Sequence, residues 1–299
     1  MKSKLVGKSF EIITLLSALF IVAVIAFFII EIIYKSWGTL SWEFIISNPE
    51  EGMTAGGIFP AIVGTALLVI LMSIIGVPIG TITAIYLVEY ANSKSIFTKT
   101  IRFAVNTLAG VPSIVFGLFG LGFFIKFVGG GLDSLLYNDQ QLVWGQPNLL
   151  WASFTMAFLT IPVVIVSVEE ALRSVPDDLR AASLALGVSK LRTIIRIVIP
   201  NALTGIITGT ILAIARGSGE VAPILFTGAA YFLPKLPSSL SDQFMNLGYH
   251  IYIMATQSTN VDETAGIQYA TVAVLLLLTT SLTSIGVYTR YRIRKRKIQ

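Results

Sequence analysis

Six long stretches dominated by Leu, Ile, Val and Phe constrain the fold of this 299-residue chain more than any other feature. Each is at least as long as the roughly 20 residues that an α-helix needs to cross a bilayer. Only 12% of the residues are charged and the mean hydropathy is +0.81, so most of the chain cannot face water. The sequence therefore predicts an all-α integral membrane protein with six transmembrane helices, at about residues 12–34, 59–88, 103–127, 149–168, 202–223 and 267–288.

Basic residues are distributed unevenly between the two sides that six crossings define. They concentrate before the first stretch, between the second and third, between the fourth and fifth, and in the tail from Arg290 to Lys297. The connection 129–147 instead carries Asp133 and Asp139 and has no basic residue. Because Lys and Arg favour the cytoplasmic side of a membrane, this pattern predicts that both termini are cytoplasmic.

The residue types that most catalytic and metal sites require are missing. The chain has no cysteine, which excludes disulfides, thiolate metal sites and cysteine nucleophiles. No G-x-x-x-x-G-K-[ST] phosphate loop occurs, so the chain is not expected to hydrolyse nucleotide itself. The one histidine, His250, is expected to be an interfacial side chain in an external connection. We therefore predict no catalytic residue, no metal and no enzyme activity. The net charge of +5 is interpreted as a consequence of membrane orientation and not as a nucleic-acid-binding surface.

Two of the predicted spans contain proline within a glycine-rich stretch. Residues 76–80 read Gly-Val-Pro-Ile-Gly, and residues 109–113 read Ala-Gly-Val-Pro-Ser. Proline removes a backbone donor, so a kink is expected at Pro78 and an interruption before Ser113. Such breaks are tolerated in a membrane only where protein or a water-lined cavity satisfies the freed carbonyls. Ser113 either bonds to its own backbone in a packed, kinked helix or lines a translocation path.

The fifth span contains two charged residues, Arg216 and Glu220. They are four residues apart, which places them on one face of a continuous helix, and Arg216 is expected roughly 24 Å from Pro200, on the external side of the midplane. Intramembrane charges are costly and face a partner or an aqueous path. The sequence leaves two alternatives open: the two residues neutralise each other, or Arg216 attracts an anion while Glu220 orients it.

Residues 169–200, called the charged loop here, form the longest densely charged segment within the apolar chain. The segment predicts two short helices: Ser174 caps the first, Gly187 ends it in a left-handed conformation, and Ser189 caps the second. Pro200 is expected to interrupt the helix before the fifth span begins. By amphipathicity alone, such a loop lies on the membrane about as often as it binds a partner.

The charged loop resembles the EAA loop of ABC-importer permeases, whose pattern is E-A-A-x3-G-x9-I-x-L-P. The matching residues are Ala181-Ala182-Ser183, Gly187 and Ile197 to Pro200; Ala181 stands where the pattern has Glu, and Ile199 where it has Leu. The stretches 64–90, 108–121, 170–176 and 213–228 are similar to permeases of the PstA type, which serve phosphate importers. The similarity extends over about residues 55–290.

This resemblance implies a single MetI-like permease domain over residues 1–299, in the cytoplasmic membrane of a prokaryote. It implies phosphate import together with a second homologous permease, two cytoplasmic ATP-binding subunits and an extracytoplasmic phosphate-binding protein. The chain itself would hold no cofactor, since ATP and Mg²⁺ would bind to the partner ATPase. Arg216 and Glu220 fall on positions that the family associates with the phosphate path. Coupling to the ATPase is expected at Glu170, Arg180, Ala182, Ser183, Gly187, Ile197 and Pro200.

Two other functions are compatible with the same sequence features. The first is an ABC importer permease for another oxyanion, such as phosphonate, molybdate or sulfate. The second is a self-sufficient secondary anion transporter, which would be expected to show inverted-repeat symmetry. No such symmetry is visible in the sequence. A membrane scaffold without transport activity is a third possibility, against which the intramembrane charges argue.

Overall fold

Helices make up most of the chain in the computed structural model, which describes residues 2–92, 94–137, 141–258 and 261–296. Asp139 and Lys297, which entered the topology prediction, lie outside these residues. A short hairpin of strands β1 (Pro49–Glu50) and β2 (Ala55–Gly56) lies in the first connection. The α-helices are α1 (Lys2–Ser36), α2 (Trp42–Ile46), α3 (Phe59–Ile85), α4 (Ile96–Ala109), α5 (Ser113–Phe119), α6 (Gly130–Tyr137), α7 (Leu149–Arg173), α8 (Asp177–Ala185), α9 (Lys190–Thr193), α10 (Ile199–Ser218), α11 (Leu247–Thr256) and α12 (Val261–Arg296).

Wider, π-helical turns extend several of these helices without a break. Helix α3 continues through Tyr86–Tyr90, α5 continues through Gly120–Gly129 into α6, and α9 continues through Ile194–Val198 into α10. Six of the resulting helical segments are long and apolar enough to cross a membrane, which confirms the predicted class and number of spans. They are Phe10–Ser36, Phe59–Tyr90, Ser113–Tyr137, Leu149–Arg173, Lys190–Ser218 and Thr264–Arg292.

Helix α7 is the centre of the bundle and packs between α3 and α10. Small residues bring the backbones together: a methyl group at Gly80 of α3 would lie 2.7 Å from Val164 Cγ1 of α7. On the other side of α7, methyl groups at Gly205 and Gly209 of α10 would run into Ala171 and Ser167. Close helix packing of this kind is the main attraction available between helices in lipid.

Helix α10 ends halfway along α7. Its residue Gly217 contacts Thr160, near the midpoint of α7, and Met72 of α3. The chain then runs without regular helix from 219 to 246 beside α7, where the Asn148 N–H donates to the Thr227 carbonyl at 2.9 Å. The predicted fifth span of 202–223 therefore differs from the structure, because irregular backbone replaces helix at this depth. Such backbone is tolerated within a membrane where protein surrounds it.

The third predicted span, 103–127, is interrupted where the sequence predicts a break, and the apolar helical segment at this crossing, Ser113–Tyr137, begins ten residues later than predicted. Helix α4 ends at Ala109, and α5 begins at Ser113 after an extended Pro112 with φ −56° and ψ 137°. Proline at 112 disfavours helical backbone at Val111 and lacks an N–H for the helix ladder.

The other prolines of the helices do not break them. Helix α3 continues through Pro78, and the α9–α10 segment continues through Pro200. The expected interruption of the helix at Pro200 is therefore wrong. The reason at Pro200 is the wide turn before it, where the Ile199 N–H bonds to the Ile194 carbonyl five residues back. A widened turn makes room for a ring that would otherwise crowd the preceding turn.

His250 is not an interfacial side chain as predicted. It lies on α11 and is 2% exposed, with its Nδ1 3.4 Å from Thr271 Oγ1 of α12. Desolvation by this burial lowers the pKa of His250 from 6.5 to about 4. The imidazole is therefore neutral at physiological pH.

Acidification is expected to destabilise the fold through His250. Between pH 6.5 and about 4 the unfolded chain binds a proton that the folded chain does not, so stability falls as pH falls through this window, by about 3 kcal/mol in total. The measurement is the thermal unfolding midpoint of detergent-solubilised protein across this pH range, for the wild type and His250→Gln. The variant should lose less stability on acidification; parallel curves would contradict the prediction.

Substitution of Gly80 by Ala should lower the unfolding midpoint, because the added methyl group collides with Val164 at the α3–α7 contact. Overpacking of this kind typically costs about 1–3 kcal/mol. Gly122→Ala is the matched control, since nothing lies within 4 Å of a methyl group there and alanine favours helix. Equal midpoints for the two variants would show that the contact is not tight.

Candidate functional site

Arg216 lies in the last turn of α10, at the middle of the bundle. The neighbouring Gly217 contacts Thr160 and Met72, both near the midpoints of their helices, so Arg216 is not displaced to the external side as predicted. Its side chain is exposed on the surface of the bundle. Within the part of the chain that the structure describes, it forms no hydrogen bond or ion pair. An unpaired guanidinium at this depth requires a partner from outside the chain or an aqueous path.

Glu220 does not share a helical face with Arg216, which corrects the sequence-based expectation. Helix α10 ends at Ser218, and the chain turns there with Gly219 N–H donating to the Arg216 carbonyl at 3.2 Å. The Glu220 side chain is half-buried on the irregular stretch that follows. No ion pair joins the two residues, although both are described, so the structure does not support mutual neutralisation.

Ser113 begins α5 directly after the break in the third crossing. Its hydroxyl is half-buried and forms no hydrogen bond to the described residues, so it does not bond to its own backbone. One turn further on, a methyl group at Gly117 would lie 3.0 Å from the Ala222 carbonyl oxygen and 2.9 Å from that of Pro223. The start of α5 therefore adjoins the stretch that contains Glu220.

Two interrupted helices thus meet at the middle of the bundle. Helix α10 ends there with Arg216 in its last turn, and α5 begins there with Ser113. The N-terminus of a helix carries partial positive charge and unpaired N–H groups, which favour an anion. Arg216 and Glu220 flank the end of α10, and α5, which begins at Ser113, contacts the stretch that follows Glu220 at Ala222 and Pro223.

The charged loop contains the two helices and the turn that the sequence predicts. Helix α8 ends at Ala185, Gly187 has φ +77°, and α9 follows. Ser189 occupies the N-cap position of α9, but its side chain does not form the capping hydrogen bond that the sequence predicts. Nothing lies within 4 Å of a methyl group at Gly187, so backbone conformation rather than space explains glycine there. Ser174 does not cap α8 as predicted; it ends α7, where its hydroxyl donates to the Ala171 carbonyl at 2.7 Å.

The residues expected to contact an ATPase divide into two groups. Glu170, Ala182, Gly187 and Pro200 are exposed, and Ile197 is half-buried. Arg180 and Ser183 instead point into the fold. Arg180 pairs with Glu89 of the α3 extension at 2.9 Å, and the Ser183 hydroxyl lies 2.9 Å from Thr193 Oγ1 of α9. The structure therefore gives these two side chains an internal role, which differs from the expected contact with a partner.

Large apolar side chains surround the turn of the charged loop and are exposed. Leu186, just before Gly187, is 83% exposed. On the second helix of the charged loop and the π-helical turn that extends it, Ile194 and Val198 are buried, whereas Leu191 and Ile195 are exposed. The exposed leucines of α8 were not predicted, although apolar residues in so charged a segment are a signal for a contact surface. The exposed set, called the leucine patch here, is Leu179, Leu184, Leu186, Leu191 and Ile195.

The described residues contain no group of three or more His, Asp or Glu side chains that could hold a metal ion. Four ionisable side chains of the charged loop instead form ion pairs: Glu169, Arg173, Asp177 and Arg180. Glu169 accepts from Arg102 of α4 at 2.9 Å and from Arg173 at 3.2 Å. The pair with Arg102 holds the end of α7 to α4, whereas the pair with Arg173 lies within α7.

Sequence comparison finds relatives that are named as permeases. The chain is 37% identical over 191 residues to "Phosphate transport system permease protein PstA 1" of Mycobacterium tuberculosis, an alignment that covers 64% of this chain and 56% of that protein. It is 32% identical over 249 residues to a phosphate transport system permease protein PstA of Pasteurella multocida, covering 82% of each. It is 31% identical to the probable ABC transporter permease protein YqgI of Bacillus subtilis, covering 74% of this chain and 69% of that protein.

The chain spans little more than half the length of the mycobacterial relatives that it matches. Solved structures share its fold at low sequence identity. A chain of a bacterial alginate ABC transporter, solved with an alginate-bound periplasmic protein, superposes with a TM-score of 0.65 at 15% identity, covering 93% of this chain and 94% of that one. A chain of the methionine ABC transporter MetNI in an inward-facing conformation gives a TM-score of 0.54 at 15% identity, covering 79% and 94%.

A family model described as binding-protein-dependent transport system inner membrane component matches residues 76–295. This match includes the charged loop, the end of α10 with Arg216, and the last span. Together with six apolar helices, it identifies a multi-pass protein of the bacterial inner membrane. The chain belongs to the family of binding-protein-dependent transport system inner membrane components, the MetI-like permeases of ABC importers.

Proposed function

We propose that this chain is one permease subunit of an ATP-driven importer that carries inorganic phosphate across the inner membrane. The observation that carries the proposal is Arg216, an exposed arginine without an ion pair at the middle of the described bundle. Relatives that are named as phosphate permeases support the choice of substrate. The single transmembrane domain of residues 1–299 would form half of the translocation path.

The chemistry of the mid-bundle region favours phosphate over a fully deprotonated oxyanion. A guanidinium is a planar donor that matches phosphate oxygens and is less costly to dehydrate than an ammonium. Phosphate retains a proton at neutral pH, and the Glu220 carboxylate is an acceptor for that proton. Sulfate and molybdate have no proton to donate at this pH, so the same carboxylate would repel them. Ser113 supplies a hydroxyl that donates to any of these oxyanions.

The charged loop is the proposed attachment to a cytoplasmic ATPase. Gly205 of α10 lies opposite Ala171, close to the end of α7, so the helical segment from Lys190 to Gly205 extends roughly 20 Å beyond that end. This projection favours a protein partner over the membrane surface as the cover of the leucine patch. Glu170, Ala182, Gly187, Ile197 and Pro200 lie on or beside the same surface, whereas Arg180 and Ser183 support it from within.

The partners follow from an importer of this family. A second homologous permease would complete the path, two ATP-binding subunits would hold ATP and Mg²⁺, and an extracytoplasmic phosphate-binding protein would deliver the substrate. The charged loop lies between the fourth and fifth crossings, so with six crossings both termini lie on its side of the membrane. We therefore place both termini in the cytoplasm.

Replacement of Arg216 by Gln should reduce ATP-dependent phosphate uptake by about a hundredfold or more, because the guanidinium stabilises the anion at the bundle centre. Uptake is measured in proteoliposomes that contain the full complex and the binding protein. Lys126→Gln, which removes another exposed cation from a membrane span, is the control and should transport normally. Undiminished uptake by the Arg216 variant would overturn the substrate-path role.

Competition by sulfate, molybdate or phosphonate in the wild type tests the alternative substrates.

Gly187 should tolerate Asn but not Val. A β-branched residue at φ +77° is strained by about 1–2 kcal/mol or more, whereas Asn adopts this conformation readily. Gly187→Val should insert into the membrane yet lose most ATP-dependent uptake, and Gly187→Asn should retain most of it. Normal uptake by the Val variant would argue against coupling through this turn.

A further inference from the structure

The side chain of Arg180 joins α8 to the ends of two other helices. Its Nε and Nη2 donate to Glu89 Oε1 at 3.1 and 2.9 Å, its Nη2 donates to the Leu172 carbonyl at 2.8 Å, and its Nη1 donates to the Val175 carbonyl at 2.7 Å. Glu89 belongs to the extension of α3, and Leu172 belongs to α7. A single guanidinium therefore holds the first helix of the charged loop against both.

This ion pair is shielded from water. The Arg180 side chain is 17% exposed and that of Glu89 is 7% exposed. Shielded charge pairs are screened little by salt, and the loss of one partner leaves an uncompensated charge. The pair consequently resists opening, unlike the exposed ion pairs at the surface of the protein.

The rest of the charged loop would allow α8 to swing. Short turns without helix separate α8 from α7 at 174–176 and from α9 at 186–189. Among the described residues, the other side-chain hydrogen bond from α8 to another element is the one between Ser183 and Thr193, which joins α8 to the α9–α10 helix but not to α3 or α7. Arg180 is thus the side chain that joins α8 to α3.

Helix α3 leads from this ion pair to the candidate substrate region. It runs without interruption from the Glu89 turn back past Met72, and Met72 Cε would lie 3.0 Å from a methyl group at Gly217. Gly217 is the neighbour of Arg216. On the other side of the loop, α9 is continuous with α10, which carries Arg216 itself.

We propose that the Glu89–Arg180 ion pair is the mechanical link that makes α8 move together with α3 and α7 during transport. A displacement of the leucine patch by the ATPase then moves α3 and α10 jointly, and both helices meet beside Arg216. Without the pair, α8 swings on its two turns and the displacement is not passed to α3. Glu89 and Arg180 are positioning residues in this scheme. The proposal rests on the proposed function of the charged loop.

The first test follows the distance between α8 and α3 directly. The chain has no cysteine, so within it spin labels attach only at introduced positions, here exposed Ile82 of α3 and exposed Asp178 of α8, and the chain is labelled before it is assembled with its partners. In the assembled complex, the label distance should be narrowly distributed and unchanged between the nucleotide-free and ATP-bound states. Glu89→Gln should broaden the distribution. A wild-type distance that changes with nucleotide, or an unaltered distribution in the variant, would overturn the link.

The second test measures coupling in the same complexes in proteoliposomes. Glu89→Gln should keep the ATPase subunits bound while phosphate uptake per ATP hydrolysed falls about tenfold. Arg180→Lys keeps the charge but cannot bond to the carboxylate and both carbonyls at once. Its phosphate uptake per ATP hydrolysed should lie between that of Glu89→Gln and that of the wild type. Glu31→Gln makes the same change in an exposed pair with Lys35 and should match the wild type. A wild-type ratio of phosphate uptake to ATP hydrolysis in both the Glu89→Gln and the Arg180→Lys variants would refute the proposal.

The two tests separate this proposal from the proposed function. If the wild-type complex takes up no phosphate, the assigned substrate is wrong, yet the label distances still report whether α8 moves with α3. If phosphate uptake is normal and Glu89→Gln does not change the distances between the spin labels on α3 and α8, the transport function stands and the mechanical link is refuted.

Discussion

Close packing along α7 is the constraint on which the rest of the bundle depends. Gly80 on one side and Gly205 and Gly209 on the other let α3 and α10 approach α7 to backbone contact. In lipid, where apolar burial does not drive helices together, this contact supplies much of the attraction. It also fixes the depth of α10, because Gly217 is held at Thr160. The position of Arg216 is a consequence of packing.

The middle of the bundle concentrates features that would be unfavourable elsewhere in a membrane. The end of one helix, the start of another, irregular backbone from 219 onward and an unpaired guanidinium all meet there. Each carries exposed dipoles or charge that hydrocarbon does not solvate. The proposed transport function, in which an anion passes between this chain and a second permease, would account for these features together.

The charged loop has two surfaces with different chemistry. Its inner surface is polar and paired: Arg180 with Glu89, and Ser183 with Thr193. Its outer surface presents the leucine patch and an unhindered Gly187 turn. The inner contacts hold the loop to the bundle while the outer side chains remain available, an arrangement suited to transmitting force from a docked partner.

The sequence alone determined the features that depend on composition or on local backbone. Apolar length revealed six spans, Pro112 predicted the break in the third crossing, and Gly187 predicted a left-handed turn. These follow from solvation and from sterics within a few residues. Only the tertiary structure decided where α10 stops, that Glu220 leaves the face of Arg216, that His250 is buried, and that Arg180 points inward. Each of these depends on residues distant in the chain, as Glu89 is 91 positions from Arg180. Local patterns contain no information about such partners, because the partner is brought near only when the helices pack.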